Sequence, residues 1–438
     1  MRLAALQEVA RRIAAGEEAT VPSDEVNNHV HTIYSFSPYS PALVAYRAWK
    51  TGLRAVGCVD HDSVAGAEEM IEACRIIGIG STVGCELRVS FSGTAMEGRK
   101  LNNPDSSNIA YIVLHGIPRG RLADVDAFLQ PIRAARNRRN ERQVERLNTI
   151  LDRHGIDRID FATEVAAISR AAEGGSITER HILLALSNKI VERCGKGTLL
   201  VSFLSENLKV AVPDRVRDYL LDESNPHYRY DLLGILKSSF LPEFFIQPEE
   251  EECIGVRDVV SFANGIGAIP AYAYLGDVRE SPTGDKKAES FEDSYLDELF
   301  PVLAEIGFRA VTYMPPRNSL EQLRRVQALC ARFELMEISG VDINSSRQTF
   351  TCPEILLPEF RHLIDSTWAL IAHEKLASLD ARYSLFDARN PIAHLPLAER
   401  MRRYAEIGSR IDSRHPDRVS ELAHTIENRH DTWKAPSL

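Results

Sequence analysis

The chain has 438 residues, of which 44% are hydrophobic and 26% charged, and its formal net charge is −10. A chain of this length is too long for one simple hydrophobic core. We therefore expect two or more domains, or one large α/β unit with an insertion. The acidic balance argues against a general nucleic-acid-binding surface, and no apolar run is long enough to cross a bilayer.

Residues 1–25 predict an N-terminal helix, and because they lack the unbroken apolar core of a signal peptide, we expect a cytoplasmic protein. From residue 26 to residue 118, strand-like runs then alternate with helical patterns. The predicted strands cover residues 27–35, 54–61, 81–91 and 108–117, and the predicted helices cover residues 40–52 and 63–78. Strand–helix alternation with glycine-terminated helices is typical of a parallel sheet or barrel.

Residues 119–250, called the helical block below, carry helical patterns almost throughout and predict a domain inserted into the α/β unit. Its helices are predicted at residues 123–155, 161–172, 176–195 and 212–223. Alternation resumes in residues 251–357, with helices at 256–267, 294–307 and 319–334 and strands at 268–276, 309–314 and 336–344. Residues 358–438 predict a helical C-terminal extension, which either covers the barrel or forms a dimer contact.

Side chains that bind metals recur where the predicted strands end. They are His29 and His31, Asp60 and His61, Glu86, His115, and Asp342. A single residue of this kind is equally compatible with a solvent-exposed or capping role. The carboxyl ends of parallel strands converge on one crevice, however, so five strand ends that agree predict a metal site. Imidazoles and carboxylates together suit zinc, iron or manganese.

The motifs HVHT, VDHDSVAG, GCEL and VLHG, in this order, resemble the PHP phosphoesterase family, named for polymerase and histidinol phosphatase domains. The resemblance covers about residues 26–118 and 250–350 and implies a distorted (β/α)7 barrel that binds one to three divalent cations. Such a barrel hydrolyses phosphate esters through a metal-bound hydroxide. In this chain the resemblance implies one metal at His29, His31, Glu86 and Asp342, a second at Glu86 and His115, and a third at His61 with Asp60.

Asp60 and His61 are also the candidate catalytic residues, because a group beside the metals can orient the nucleophile or protonate the leaving oxygen. Two motifs depart from the family pattern. Tyr274, in AIPAYAYLGD, replaces the histidine of the third motif, and Asn344, in SGVDINSS, replaces the histidine of the last. Both remain candidate metal ligands, and an amide oxygen at Asn344 would suit manganese or magnesium better than zinc.

The helical block is similar to the insertion in the branch of the family that acts on nucleotide monophosphates and short oligonucleotides. Its segment RAARNRRNERQVER spaces arginines three or four residues apart, on one helix face. This face is either solvated or a phosphate clamp at the mouth of the site. The candidate substrate-binding residues are Arg139, Arg142, Arg180, His181, Arg317 and Arg347. Arg317 and Arg347 are also compatible with turn and capping roles.

The sequence therefore favours a phosphoesterase that acts on a nucleotide, a short oligonucleotide or a small phosphorylated metabolite. Two alternatives stay open. The first is a catalytically impaired protein of the same fold that binds a phosphorylated ligand in a regulatory role. The second is a metal-dependent hydrolase that acts on a substrate without phosphate. His362 and His373, in an apolar helical stretch, are interpreted as structural residues.

Overall fold

The computed structural model describes residues 1–277 and 291–427. Seven strands form one sheet in chain order. They are β1 (Val26–Val30), β2 (Ala55–His61), β3 (Gly80–Ser90), β4 (Ile109–His115), β5 (Ile269–Ala273), β6 (Ala310–Tyr313) and β7 (Met336–Ser339). Neighbouring strands are parallel except at β4, which is antiparallel to both β3 and β5.

The prediction of parallel strands is wrong at β4, and the reason lies in the connection. Turns alone join β3 to β4 through residues 91–108, all of which are described. A parallel crossover usually needs a helix, whereas a chain that turns back directly pairs antiparallel. The direction of β4 decides where its end residue, His115, lies.

The sheet curls into a nearly closed barrel whose first and last strands meet at the His-x-His stretch. Ile343 N donates to the carbonyl oxygen of His29 at 3.1 Å, and both backbone groups of Val341 bond to the Asn27 side chain. A Cβ at Gly340 would lie 2.4 Å from the Cβ of His29, so only glycine allows this approach. The closure therefore fixes β1 beside the loop that follows β7.

Helices surround the barrel and fill the connection between β4 and β5. The first three are α1 (Arg2–Ala14), α2 (Pro41–Lys50) and α3 (Ala67–Ile77). The helical block contains α4 (Leu122–His154), α5 (Glu179–Cys194), α6 (Thr198–Ser202), α7 (Asp214–Leu221), α8 (Tyr228–Ser239) and α9 (Leu241–Phe244). The remaining helices are α10 (Val256–Ile266), α11 (Leu296–Ile306), α12 (Leu320–Arg332), α13 (His362–Leu379), α14 (Leu397–Arg410) and α15 (Ser420–Glu427).

The predicted helices mostly match these bounds, with two differences in the helical block. The helix predicted at residues 161–172 is a single wide turn, Phe161–Ala166, followed by bends and a short 3₁₀ turn. Helices α6, α8 and α9 were not predicted. The block has a hydrophobic cluster of its own, separate from the barrel core, and Phe36 from the loop after β1 belongs to that cluster. The domain limits given from the sequence remain predictions.

The C-terminal helices pack on the end of the barrel at which the parallel strands begin. Glu374 of α13 accepts a hydrogen bond from Val83 N at 2.7 Å, and Thr367 accepts one from the Asn28 side chain at 2.8 Å. This segment therefore covers the barrel, while residues 428–438 of the predicted extension lie outside the described residues. Within the described ranges, no helix is both long enough and apolar enough to cross a membrane.

Candidate metal centre

Two histidines of the first strand region and one glutamate of β3 form a compact buried group. The candidate ligand atoms of His29, His31 and Glu86 all lie within 4.8 Å of one another. His29 Nε2 is 3.7 Å from Glu86 Oε1, and His31 Nε2 is 3.7 Å from Glu86 Oε2. The structure thus brings both histidines of the HVHT motif onto one carboxylate.

His61 and Asp342 extend this group on two sides. His61 Nδ1 lies 3.0 Å from Glu86 Oε2, and its ring stacks on that of His31 with centroids 4.4 Å apart. Asp342, in the loop after β7, places Oδ1 3.3 Å from His31 Nε2. Five of the predicted ligand residues therefore lie together, four at the carboxyl ends of β1, β2 and β7 and the fifth, Glu86, within β3.

The geometry of this group fits a bound cation. His31 Nε2 and His61 Nδ1 are buried and make no hydrogen bond, although carboxylate oxygens stand 3.0 to 3.7 Å away. Ligand atoms at 2.0–2.1 Å from a tetrahedral zinc ion are separated by about 3.3 Å. Nitrogen and oxygen atoms that approach to this range without forming hydrogen bonds are arranged as ligands of one ion would be.

The imidazoles differ in their readiness to carry charge. Burial lowers the pKa of His29 despite the nearby carboxylates, and it lowers the pKa of His61 well below its usual value. Burial also acts on His31, but Asp342 and Glu86 outweigh it and raise the His31 pKa. Burial would raise the pKa of Asp342, but His31 outweighs it, so this pKa is lowered. A cation bound here would replace the proton on His31.

Asp60 lies beside the centre but is bonded to the turn that follows β1. Its Oδ1 accepts from Thr32 N at 2.6 Å and from Ser35 Oγ at 2.7 Å, and its Oδ2 accepts from Thr32 Oγ1 at 2.6 Å. Burial raises the pKa of Asp60, and these donors only partly oppose that effect. Ser35 Oγ also lies 3.4 Å from His31 Nδ1. In the structure both oxygens of Asp60 thus bond to the turn that carries His31.

The direction of β4, which runs antiparallel to its neighbours, sets the position of His115, the last residue of that strand. His115 pairs with Ile269, the first residue of β5, and lies two residues beyond Val113, the strand partner of Glu86. Its Nε2 is buried and makes no hydrogen bond. The β4 side chain near the candidate ligands is Tyr111, whose ring centroid is 5.9 Å from that of His61. His115 is buried, and burial lowers its pKa to about 3.

Tyr274 and Asn344, which stand where the family has histidines, hydrogen-bond to acidic residues. The Tyr274 hydroxyl donates to Asp293 Oδ1 at 2.6 Å. Burial raises the pKa of Tyr274, and Asp293 raises it further, so the phenol stays protonated. Asn344 Nδ2 donates to Asp342 Oδ1 at 2.8 Å. Tyr274 thus points its oxygen at another carboxylate, and Asn344 orients a candidate ligand.

A cavity of about 170 Å³ opens over the candidate ligands, between the barrel and the helical block. Arg180 of α5 and Arg317, which follows β6, line it, as the sequence predicted for substrate-binding residues. Lys237 of α8 lines it as well and was not singled out from the sequence. With Arg88 and Arg136, five cationic side chains therefore line the space in front of the candidate centre.

The other predicted substrate-binding residues lie elsewhere. Arg139 is buried and bonds to Glu179 and Glu252 at 2.5 to 2.8 Å. Arg142 pairs with Glu249 on the surface, and Arg347 makes a bidentate contact with Asp231. The His181 ring accepts from Thr178 N at 3.0 Å and so caps α5, and burial lowers its pKa to about 3.

The fold and the site together define a seven-stranded α/β barrel with a candidate metal centre at its mouth. No family model matches the chain. A solved structure from Bifidobacterium adolescentis, described as that of a metal-dependent phosphoesterase, aligns with a TM-score of 0.51 and 20% identity. The alignment covers 79% of this chain and 98% of that one. The chain thus has the fold of that protein.

Two further proteins are similar to the chain. A segment of 144 residues is 30% identical to an error-prone DNA polymerase of Cutibacterium acnes. It covers 32% of this chain and 12% of the polymerase, so the match concerns a small part of that protein. An amidohydrolase from Chromobacterium violaceum, solved with sulfate and without metal, aligns with a TM-score of 0.48 and 17% identity over 78% of this chain and 96% of its own.

Proposed function

We propose that the protein is a cytoplasmic, metal-dependent phosphoesterase of the PHP family. The observation that carries the proposal is the group of His29, His31, Glu86 and Asp342 at the base of a cavity lined by cationic side chains. A divalent cation bound there would polarise a phosphoryl oxygen. It would also lower the pKa of a bound water molecule, so that hydroxide would be available near neutral pH. Zinc, manganese and iron are all compatible with these ligands.

The residues around the candidate metal centre have different roles in the proposed reaction. His29 and His31 would offer neutral ring nitrogens to a cation. Glu86 has one carboxylate oxygen near His29 and the other near His31. His61 reaches Glu86 with Nδ1 and also lines the cavity, so it can bind a cation or move a proton at the leaving oxygen. Asp60, through Thr32 and Ser35, would hold the turn that carries His31.

Cationic side chains would bind the phosphate in front of the cation. Arg180, Lys237 and Arg317 come from three separate elements and face one cavity. Guanidinium groups recognise phosphate oxygens with two parallel hydrogen bonds, and an ammonium adds a compact charge. The apolar walls at Leu241 and Phe245 would leave room for a sugar or base beside the phosphate.

The test combines metal analysis with hydrolysis of p-nitrophenyl phosphate and of nucleoside monophosphates, with zinc, manganese or iron(II) added. We expect at least one cation per chain and turnover in the wild type. His31→Ala should lose both together, and His394→Ala, which changes an exposed histidine, should keep both. A wild type that binds no cation, or hydrolyses no phosphate ester with any of the three metals, would refute the proposal.

The regulatory alternative rests on a specific observation, namely the bonding of Tyr274 and Asn344 to acidic residues. Because the Tyr274 hydroxyl and the Asn344 amide nitrogen are bonded to carboxylates, and neither residue offers an imidazole, fewer ligands remain for a second or third cation. A protein of this kind would bind inorganic phosphate or a nucleotide in the presence of metal and show no turnover. The hydrolase that acts on a substrate without phosphate would turn over an amide or ester and ignore phosphate esters.

A further inference from the structure

A buried group of charged residues joins the helical block to the barrel beside the candidate metal centre, and two of its members, Arg136 and Glu179, also line the cavity. Arg136 and Arg139 of α4 are 2% and 1% exposed and contact Glu179 of α5. Glu252, 2% exposed, contacts both arginines. The arginine face that the sequence offered as a phosphate clamp is therefore turned inward at these two positions.

Arg136 differs from Arg139 in one contact. Its guanidinium forms an ion pair with Asp62, which directly follows the candidate ligand His61, and both side chains of the pair are 2% exposed. Arg139 bonds only to glutamates and to the carbonyl oxygen of Ile246 among its described hydrogen-bond partners. The two arginines are equally buried and share the partners Glu179 and Glu252. Of the two, only Arg136 contacts Asp62, next to the candidate ligand His61.

Asp62 is held in an unusual backbone conformation. Its φ is +48°, in the left-handed region that L-residues rarely adopt without support. Its N–H donates to the carbonyl oxygen of Glu86 at 2.8 Å, and its own carbonyl oxygen accepts from Arg133 at 3.0 Å. One residue thus connects α4, the end of β2 and the ligand-bearing part of β3.

We propose that Arg136 is a positioning residue for the metal centre and acts through Asp62. By fixing the Asp62 carboxylate, Arg136 holds the left-handed turn that directs the His61 ring towards Glu86. The same turn places the Asp62 N–H on the Glu86 backbone. The inference rests on the proposed metal site and gives the helical block a role in its assembly, beyond any contact with substrate.

The expected loss of metal affinity follows from other metal sites, in which residues that bond to the metal ligands hold those ligands in place. Loss of such a support typically weakens metal binding by about 10- to 100-fold. Arg136→Lys keeps the buried positive charge but removes the fork that contacts Asp62 and Glu179 together. It should therefore weaken metal binding without leaving an unpaired carboxylate in the network.

The experiment titrates full-length protein with cobalt(II), following the visible absorption bands that report ligand geometry, and records thermal unfolding of the same samples. Arg136→Lys should bind cobalt about 10- to 100-fold more weakly than the wild type and show altered bands. Arg139→Lys is the matched control and should bind cobalt like the wild type, even if it unfolds at a lower temperature. Unchanged binding in Arg136→Lys, or an equal loss in Arg139→Lys, would overturn the inference.

A second variant keeps the test decisive if Arg136→Lys does not fold. Asp62→Gly adopts a positive φ without strain and removes only the side chain that Arg136 holds. It should weaken cobalt binding as Arg136→Lys does, and the double variant should bind no more weakly than the weaker single variant. Normal cobalt binding by Asp62→Gly would overturn the inference alone, whereas a wild type that binds no cobalt would overturn the proposed function as well.

Discussion

His373 offers a quantitative test of how the C-terminal helices are attached to the barrel. The residue is fully buried in α13, and its Nδ1 accepts a hydrogen bond from Leu385 N at 3.0 Å. Because a backbone N–H donates to Nδ1, that nitrogen carries no proton in the folded state. Protonation would break the bond and place a charge among apolar groups, which agrees with the structural interpretation of this histidine.

The magnitude follows from its pKa, which burial lowers from 6.5 to about 4. The folded pKa lies below the unfolded one, so the stabilising contribution is complete above pH 6.5 and is lost as the pH falls through 4. At 1.36 kcal/mol for each pKa unit, the full contribution is about 3 kcal/mol. His373→Asn retains an acceptor in the place of Nδ1 and removes the titration.

The assay is urea unfolding of wild type and His373→Asn at pH 7 and at a pH near 4.5. The variant will be less stable at pH 7 because asparagine fills the site poorly, so the comparison uses only the change with pH. The wild type should lose about 2.5 kcal/mol more than the variant over this interval. An exposed-site control, His394→Asn, should follow the wild type. Equal losses in wild type and His373→Asn would refute the reasoning.

Three further predictions concern other buried positions. Burial raises the pKa of Glu292 to about 7, so stability should fall as the pH rises from 4.5 through 7. In urea unfolding at pH 5 and 8, the wild type should lose about 2.5 kcal/mol more than Glu292→Gln. Gly340→Ala should disrupt barrel closure and abolish cobalt binding, whereas Gly265→Ala, where a Cβ meets open space, should bind cobalt normally. Asp60→Asn should keep its cation by elemental analysis and melt at a lower temperature; loss of the cation would assign Asp60 to the ligands.

The strand ends that define the site could be predicted because their signals are local. A His-x-His pair places two imidazoles on one side of a strand whatever the rest of the fold does. His61 and Glu86 each close or follow a buried apolar run, and they become opposite partners on β2 and β3. Short-range periodicity and the order of the motifs were sufficient to bring these residues together.

The position of His115 could not be predicted in the same way. The apolar pattern of its strand is compatible with either strand direction. The polar loop before the strand has no helical or strand periodicity, but the sequence alone does not show that a crossover helix is absent there. Once β4 is antiparallel, the same alternation places Tyr111 near His61 and puts His115 on the other side of Val113, the strand partner of Glu86. Strand direction, a long-range property, decided which residue reached the site.

The inward arginines of α4 were also beyond sequence reasoning, for a reason of distance along the chain. Their partner Glu252 lies 113 residues after Arg139 in the chain, beyond the helical block. On a helical wheel, arginines three apart predict a solvated or ligand-binding face, because burial of such a face requires acceptors that only the tertiary fold supplies. Three carboxylates around Arg136, including that of Asp62, supply them here.

The two altered motifs bear directly on the number of cations. Asn344 donates its amide hydrogen to Asp342, so its oxygen turns away from that carboxylate, and Tyr274 gives its proton to Asp293. A histidine at either position would instead offer a lone pair to a cation. The complete set of ligands is then the one around His31, where His29, Glu86 and Asp342 converge. We therefore expect one tightly held cation, with any second cation depending on His61 and on the oxygen of Glu86 that it approaches.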